Sequence, residues 1–239
     1  MLEKEIDIPT ADGQMNTFIT CPEEGGPHPL VLFLMDAPGK REELHDMARR
    51  LSSAGYYVML PNLYYRRLRL FDMASSTREI MFEHMNSLSN AMVCDDVAAL
   101  IDYADGEPQA RPGKLGCVGY CMSGPFVFAA AAAFPGRVAA AASFHGVRLV
   151  TEAEDSPHLG ADKIDGELYF GCAEIDEYAP QAMIDALDAH LAASGVDYRI
   201  EMYPETEHGF VFPERIGRYH KASAERHWER LLALFARRL

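Results

Sequence analysis

The chain has 239 residues, of which 49% are hydrophobic and 24% charged, and its formal net charge is −14. That composition suits a globular fold with a sizeable core, and the acidity argues against nucleic acid or anionic lipid as partners, since both need basic surface. Five cysteines, an odd number without a C-x-x-C spacing, argue against a disulfide framework and a zinc site; together with the lack of a basic-then-apolar leader and of any apolar run near ~18 residues, they point to a cytoplasmic protein with no membrane span, no metal and no cofactor.

No repeat, low-complexity tract or polar linker interrupts the chain, so a single domain over residues 1–239 is the simplest organisation. Residues 3–8 and 15–20 pattern as an opening hairpin around Ala11-Asp12-Gly13. Leu30 to Met35 is an apolar run, as in a strand buried on both faces. Leu44, Met47 and Leu51 predict a helix over 41–54 that Gly55 ends, and Tyr56 to Leu60 a second buried strand stopped by Pro61. Val93, Val97, Leu100 and Ile101 predict a helix over about 87–105. Leu115 to Gly119 reads as a third strand followed by a small-residue helix from 122 to about 134. Val138 to Phe144 and Glu167 to Phe170 read as strands, and Ile184, Leu187 and Leu191 mark a helix over 181–194 closed by Gly195. Tyr198 to Tyr203 alternates as a last strand, and the stripe Trp228, Leu231, Leu232, Phe235 and Leu239 marks a final helix. Strand alternating with helix predicts an α/β fold, with a mainly parallel sheet covered on both faces.

The segment Gly119-Tyr120-Cys121-Met122-Ser123-Gly124 joins a buried strand directly to a helix. The residue at the apex of such a turn takes a strained backbone, so its flanking positions must be small. Gly119 and Ser123 meet that need, and Gly124 lets the helix start lie close to the sheet. The turn aims the Cys121 thiol outward at a helix N-terminus, where N–H groups favour negative charge, and directs the Met122 N–H at the place where an oxyanion would form. Cys21, Cys94, Cys117 and Cys172 have no such setting.

A thiol nucleophile needs a histidine to take its proton and a carboxylate to orient that histidine, in the chain order nucleophile, acid, histidine at successive strand ends. His190, His220 and His227 fall in helical patterns and read as surface residues; His158 sits on a loop. His145 follows a strand, and suits a pocket wall, but comes one strand too early to be the base. His208 follows the last strand, and Gly209 lets its loop bend. The acid should follow the strand ending at Phe170, where Glu174, Asp176 and Glu177 are all chemically eligible.

With these residues the chain resembles the dienelactone hydrolase family of α/β-hydrolases. Gly119-Tyr120-Cys121-Met122 is similar to that family's elbow, Asp176 with Pro180 to its D-x-x-x-P acid, and His208-Gly209-Phe210 to its late H-G-F. Leu34-Met35-Asp36-Ala37-Pro38-Gly39 and Pro61-Asn62-Leu63-Tyr64-Tyr65-Arg66 fall where the family has its first oxyanion loop and a P-D-L-Y-type segment. The resemblance covers about residues 30–235 and implies the α/β-hydrolase fold. It implies hydrolysis of a small ester or lactone through a thioester, with Asp176 as the acid and the N–H groups of Ala37 and Met122 as the oxyanion hole. In the family a glutamate at the position of Asp36 helps activate the thiol; here Asp36 either serves that role or caps the turn before Pro38. Family arginines bind a substrate carboxylate, as bidentate pairing favours. Arg78 either matches one of them or is a helix-surface arginine, and Phe212 stands where the other would be, four residues after His208. Phe210, Phe212, Tyr64 and Tyr65 suit a less charged ester. Two other classes compete: a ligand-binding or sensing module on the same fold, motivated by Asp36 and Phe212, and a redox-active thiol protein, weakened by the missing resolving cysteine.

Overall fold

The computed structural model describes residues 1–239, which divide into two compact units, Met1–Leu115 and Gly116–Leu239. In the first, β1 (Leu2–Thr10) and β2 (Gly13–Cys21) form the expected hairpin in antiparallel register from Leu2 opposite Cys21 to Thr10 opposite Gly13. Gly13 has φ 139°, a value that L side chains rarely adopt, which is why a glycine ends this turn. β2 pairs antiparallel with β4 (Tyr57–Pro61), and β4 pairs parallel with β3 (His28–Leu34). The order is thus β1-β2-β4-β3. Every residue of β4 is buried, as its apolar run requires.

Three helices belong to this unit. α1 (Glu42–Ser53) buries Leu44, Met47 and Leu51 on one face. Where one helix was expected over 87–105, α3 (Asn90–Asp105) starts at a Ser89 cap whose hydroxyl accepts the Met92 N–H. A separate helix, α2 (Arg78–Asn86), precedes it, capped by Thr77. α2 has no sequence stripe because it buries only His84 and Met85.

β5 (Ala110–Tyr120) carries the chain into the second unit, where the order is β5-β6-β7-β8. β6 (Val138–Phe144), β7 (Glu167–Ile175) and β8 (Asp197–Glu207) pair in parallel. β7 and β8 run five and four residues past their expected ends, so that each delivers its next residue, Asp176 or His208, directly from a strand. α4 (Gly124–Ala133) and α5 (Gln181–Ser194) match expectation, and Gly195 ends α5 at φ 80°. α6 (Lys221–Arg238) buries Ala224, His227, Trp228, Leu231, Leu234 and Phe235. A Cβ on Gly116 would lie 2.6 Å from the Phe235 ring, so this close strand–helix packing requires glycine.

Candidate active site

Cys121 follows β5 with φ 54°, a left-handed value that few non-glycine residues hold. It opens a one-turn 3-10 segment, Cys121–Ser123, that runs into α4. The glycines around it leave no room for side chains. A Cβ on Gly119 would lie 2.8 Å from the Ser123 backbone carbon, and one on Gly124 would lie 2.5 Å from the Gly146 Cα. Gly119→Ala is therefore expected to cost about 2 kcal/mol or more and to displace Cys121; urea denaturation and the rate of Cys121 alkylation by iodoacetamide measure the two effects. The Cys121 carbonyl accepts the Val147 N–H at 3.1 Å, which anchors the strained residue. Cys121 is only 9% exposed, and Met122 beside it is buried.

His208 directly follows β8, and Gly209 turns the chain at φ 87°. The His208 Nδ1 lies 2.8 Å from Asp176 Oδ2, and the ring also hydrogen-bonds Cys121. The other Asp176 oxygen accepts the N–H groups of Tyr178 (2.9 Å) and Ala179 (3.2 Å), which fixes the carboxylate's orientation. Of the other two acids, Glu174 accepts the Glu205 N–H at 2.7 Å and Glu177 is exposed. Burial opposes a charge on His208, but the hydrogen bonds and charges of Asp176 and Cys121 outweigh it and raise its pKa to about 9. The three side chains thus form a hydrogen-bonded chain Asp176–His208–Cys121 that favours the protonated imidazole.

Around this chain stand aromatic rings. Tyr178 and His145 each make an edge-on contact with His208, with ring centroids at 4.9 Å. Phe210 and Phe212, expected as apolar neighbours of the site, are fully buried against His145. Arg215 lies over the Phe212 ring at 4.8 Å, so the loop after His208 does carry a cation although position 212 does not. His227, read from sequence as a surface histidine, is fully buried: it faces the Tyr120 hydroxyl at 3.0 Å and donates Nδ1–H to the Ala224 carbonyl at 2.7 Å. His220 precedes α6 and caps it. These polar pairings are invisible to a pattern of apolar spacing.

Asp36, Ala37, Tyr65 and Arg78 belong to the first unit. Asp36 follows β3 and is fully buried, with Arg41 Nη1 at 2.5 Å and Nη2 at 3.4 Å; its carbonyl accepts the Gly39 N–H across Pro38. Arg41 also binds Glu43 at 2.6 Å. Arg41 stands just before α1, at the start of the helix expected over 41–54, and nothing in the apolar pattern ties it to Asp36. Arg41→Ala removes the charged partner of a fully buried carboxylate and is expected to lower stability by about 3 kcal/mol, as measured by urea unfolding. Ala37 is buried, and its carbonyl accepts the Tyr64 hydroxyl at 2.9 Å. The Tyr65 hydroxyl donates to Asp96 at 2.8 Å and meets Thr10 at 2.8 Å, while Arg66 holds the same Asp96 and stacks on the Tyr65 ring. Arg78 is exposed on α2, with its guanidinium over Phe82 at 5.3 Å. No group of three or more His, Cys, Asp or Glu is arranged to hold a metal, and no helix is long and apolar enough to cross a membrane.

The model of the dienelactone hydrolase family matches residues 15–239. Among curated relatives, a "Putative carboxymethylenebutenolidase" of Methylorubrum extorquens is 29% identical over 97% of this chain and 79% of its own. The carboxymethylenebutenolidase of Pseudomonas putida is 24% identical over 94% of this chain and 92% of its own. Among solved structures, the "Putative Dienelactone Hydrolase" of Klebsiella pneumoniae superposes with TM-score 0.89 at 26% identity, covering 98% of each chain.

Proposed function

Because the chain belongs to the dienelactone hydrolase family of α/β-hydrolases, enzymes that cleave ester and lactone bonds, we propose that it does so with Cys121 as nucleophile, His208 as acid–base and Asp176 as the group that orients and charges His208. The observation that carries this reading is the hydrogen-bonded chain from Asp176 through His208 to Cys121.

The Cys121 sulfur attacks the ester carbonyl carbon, and the π electrons move onto the carbonyl oxygen. The Met122 N–H, at the start of the turn, is the donor this unit offers to that oxyanion. Collapse of the tetrahedral adduct breaks the C–O bond; His208 delivers its proton to the departing alkoxide, leaving a thioester on Cys121 and a neutral imidazole. That imidazole then takes a proton from water, whose oxygen attacks the thioester and releases the acid, and the sulfur leaves as the thiolate that pairs again with protonated His208. Asp176 stabilises the imidazolium at each stage without itself taking the proton. The roles proposed for Asp36, Ala37 and Arg78 rest on the family resemblance, and that of Tyr65 on its aromatic character. The substrate is a small ester or lactone acting in a cytoplasmic setting.

Mixing the protein with p-nitrophenyl acetate is expected to release a burst of about one equivalent of nitrophenol, with the acetyl group found by mass mapping on Cys121. Turnover with the acyl group on another residue overturns the reading. Labelling of Cys121 without turnover favours a binding or sensing module, and neither labelling nor turnover favours a redox thiol.

A further inference from the structure

One buried ionisable group in the second unit has no part in the mechanism above. His145 directly follows β6, is 0% exposed, and neither ring nitrogen has a hydrogen-bond partner. A structural histidine in a core normally donates or accepts at one nitrogen at least. What this side chain does offer is its ring, which packs edge-on against His208 at 4.9 Å, Phe212 at 5.5 Å and Phe210 at 5.8 Å, and lies tilted against Tyr120 at 6.0 Å.

The backbone beside it touches the other parts of the site. The His145 N–H donates to the Gly171 carbonyl at 2.7 Å, on the strand that ends just before Asp176. Two residues later the Val147 N–H holds the Cys121 carbonyl at 3.1 Å. Reaching both requires a sharp reversal, and His145 takes it at φ 39°. Histidine is among the few residues other than glycine that enter the left-handed region readily, whereas phenylalanine does so poorly. The residue thus meets two demands at once: a flat ring for His208 to rest on and a backbone that turns left-handed.

We propose that His145 is a positioning residue, whose uncharged ring fixes the His208 ring in the plane that joins Asp176 to Cys121. It stays uncharged because burial disfavours the cation and because His208, Arg215 and His227 all face it with positive charge or the capacity for it. The inference rests on the Asp176–His208–Cys121 reading.

Two substitutions separate the ring from its nitrogens. His145→Asn keeps the left-handed backbone and a polar side chain but removes the ring. It is expected to lower kcat for p-nitrophenyl acetate by about 10- to 100-fold, with KM changed by less than about 3-fold. The time profile of Cys121 alkylation by iodoacetamide, followed by mass mapping, is expected to slow, because a misaligned His208 no longer activates the sulfur. His145→Phe keeps the ring, and kcat is expected to recover to within about 5-fold of wild type despite a lower Tm. Wild-type kcat and alkylation profile in the Asn variant overturn the proposal. So do equal losses of kcat in folded Asn and Phe variants, which assign the effect to the nitrogens. If the Phe variant does not fold, the alkylation profile of the Asn variant decides alone. Failure of wild-type Cys121 to acylate overturns the triad instead.

Discussion

Cys121→Ala is expected to lower kcat for p-nitrophenyl esters by at least about 10⁴-fold, the scale on which removal of a nucleophile acts in a triad whose members work as a unit. The reason lies in the division of labour around position 121. The turn, the Met122 N–H and the buried aromatic surroundings survive the substitution, so positioning and oxyanion stabilisation remain, but no covalent intermediate can form. The variant also removes one of the two groups that raise the His208 pKa, so any pH dependence of the residual activity that reports His208 should move below pH 9 while Asp176 still holds it above the ordinary value. Alanine carries the same left-handed backbone cost at φ 54° that cysteine already carries, so urea denaturation is expected to show little change and to separate folding from the kinetic effect. A variant that keeps kcat within about tenfold of wild type refutes the nucleophile.

The same position shows why part of the site is legible in the sequence. A strand of apolar residues, a small-x-Cys-x-small turn and a small-residue helix can be joined only by a sharp elbow, and the geometry at Cys121 follows from that local demand. His208 is legible for a related reason, since it stands between an alternating strand and a glycine. Asp176 was one of three eligible acids by pattern alone, because the choice depends on which carboxylate the Tyr178 and Ala179 N–H groups seize, and these contacts lie in a turn without periodicity. What apolar spacing cannot reveal is polar pairing across long sequence separations. His227 sits in a helical stripe and reads as exposed, yet Tyr120, 107 residues away, gives it a buried partner. The orphan ring of His145 escapes the pattern altogether, because nothing in Ser143-Phe144-His145-Gly146 states where that side chain turns. In the first unit, α2 was missed because a helix that buries two residues has no stripe to read, and Arg41 was missed as the partner of Asp36 because an ion pair depends on side-chain reach rather than on period.

Asp176→Asn is expected to reduce kcat by about 10³- to 10⁴-fold while leaving the backbone in place, as the equivalent change does in triads of this logic. Asparagine has the same shape, and its carbonyl oxygen can still accept the Tyr178 and Ala179 N–H groups. The amide then points toward His208 Nδ1, where wild type has Oδ2 at 2.8 Å, so a donor faces a donor and the ring is driven to the other tautomer. Stability should respond with a definite sign. The folded-state pKa of His208, about 9, lies above its ordinary value of 6.5, so folding favours the protonated ring. That contribution, on the order of 3 kcal/mol, is fully present below pH ~6.5 and is lost as pH rises through about 9. Asp176 supplies much of it, so the stability gap between wild type and Asp176→Asn should be widest at pH 6 and narrow by pH 9.5, as read from urea midpoints at the two values. A gap that stays constant, or widens with pH, shows that the carboxylate does not hold the proton on His208, and the base must then be sought elsewhere.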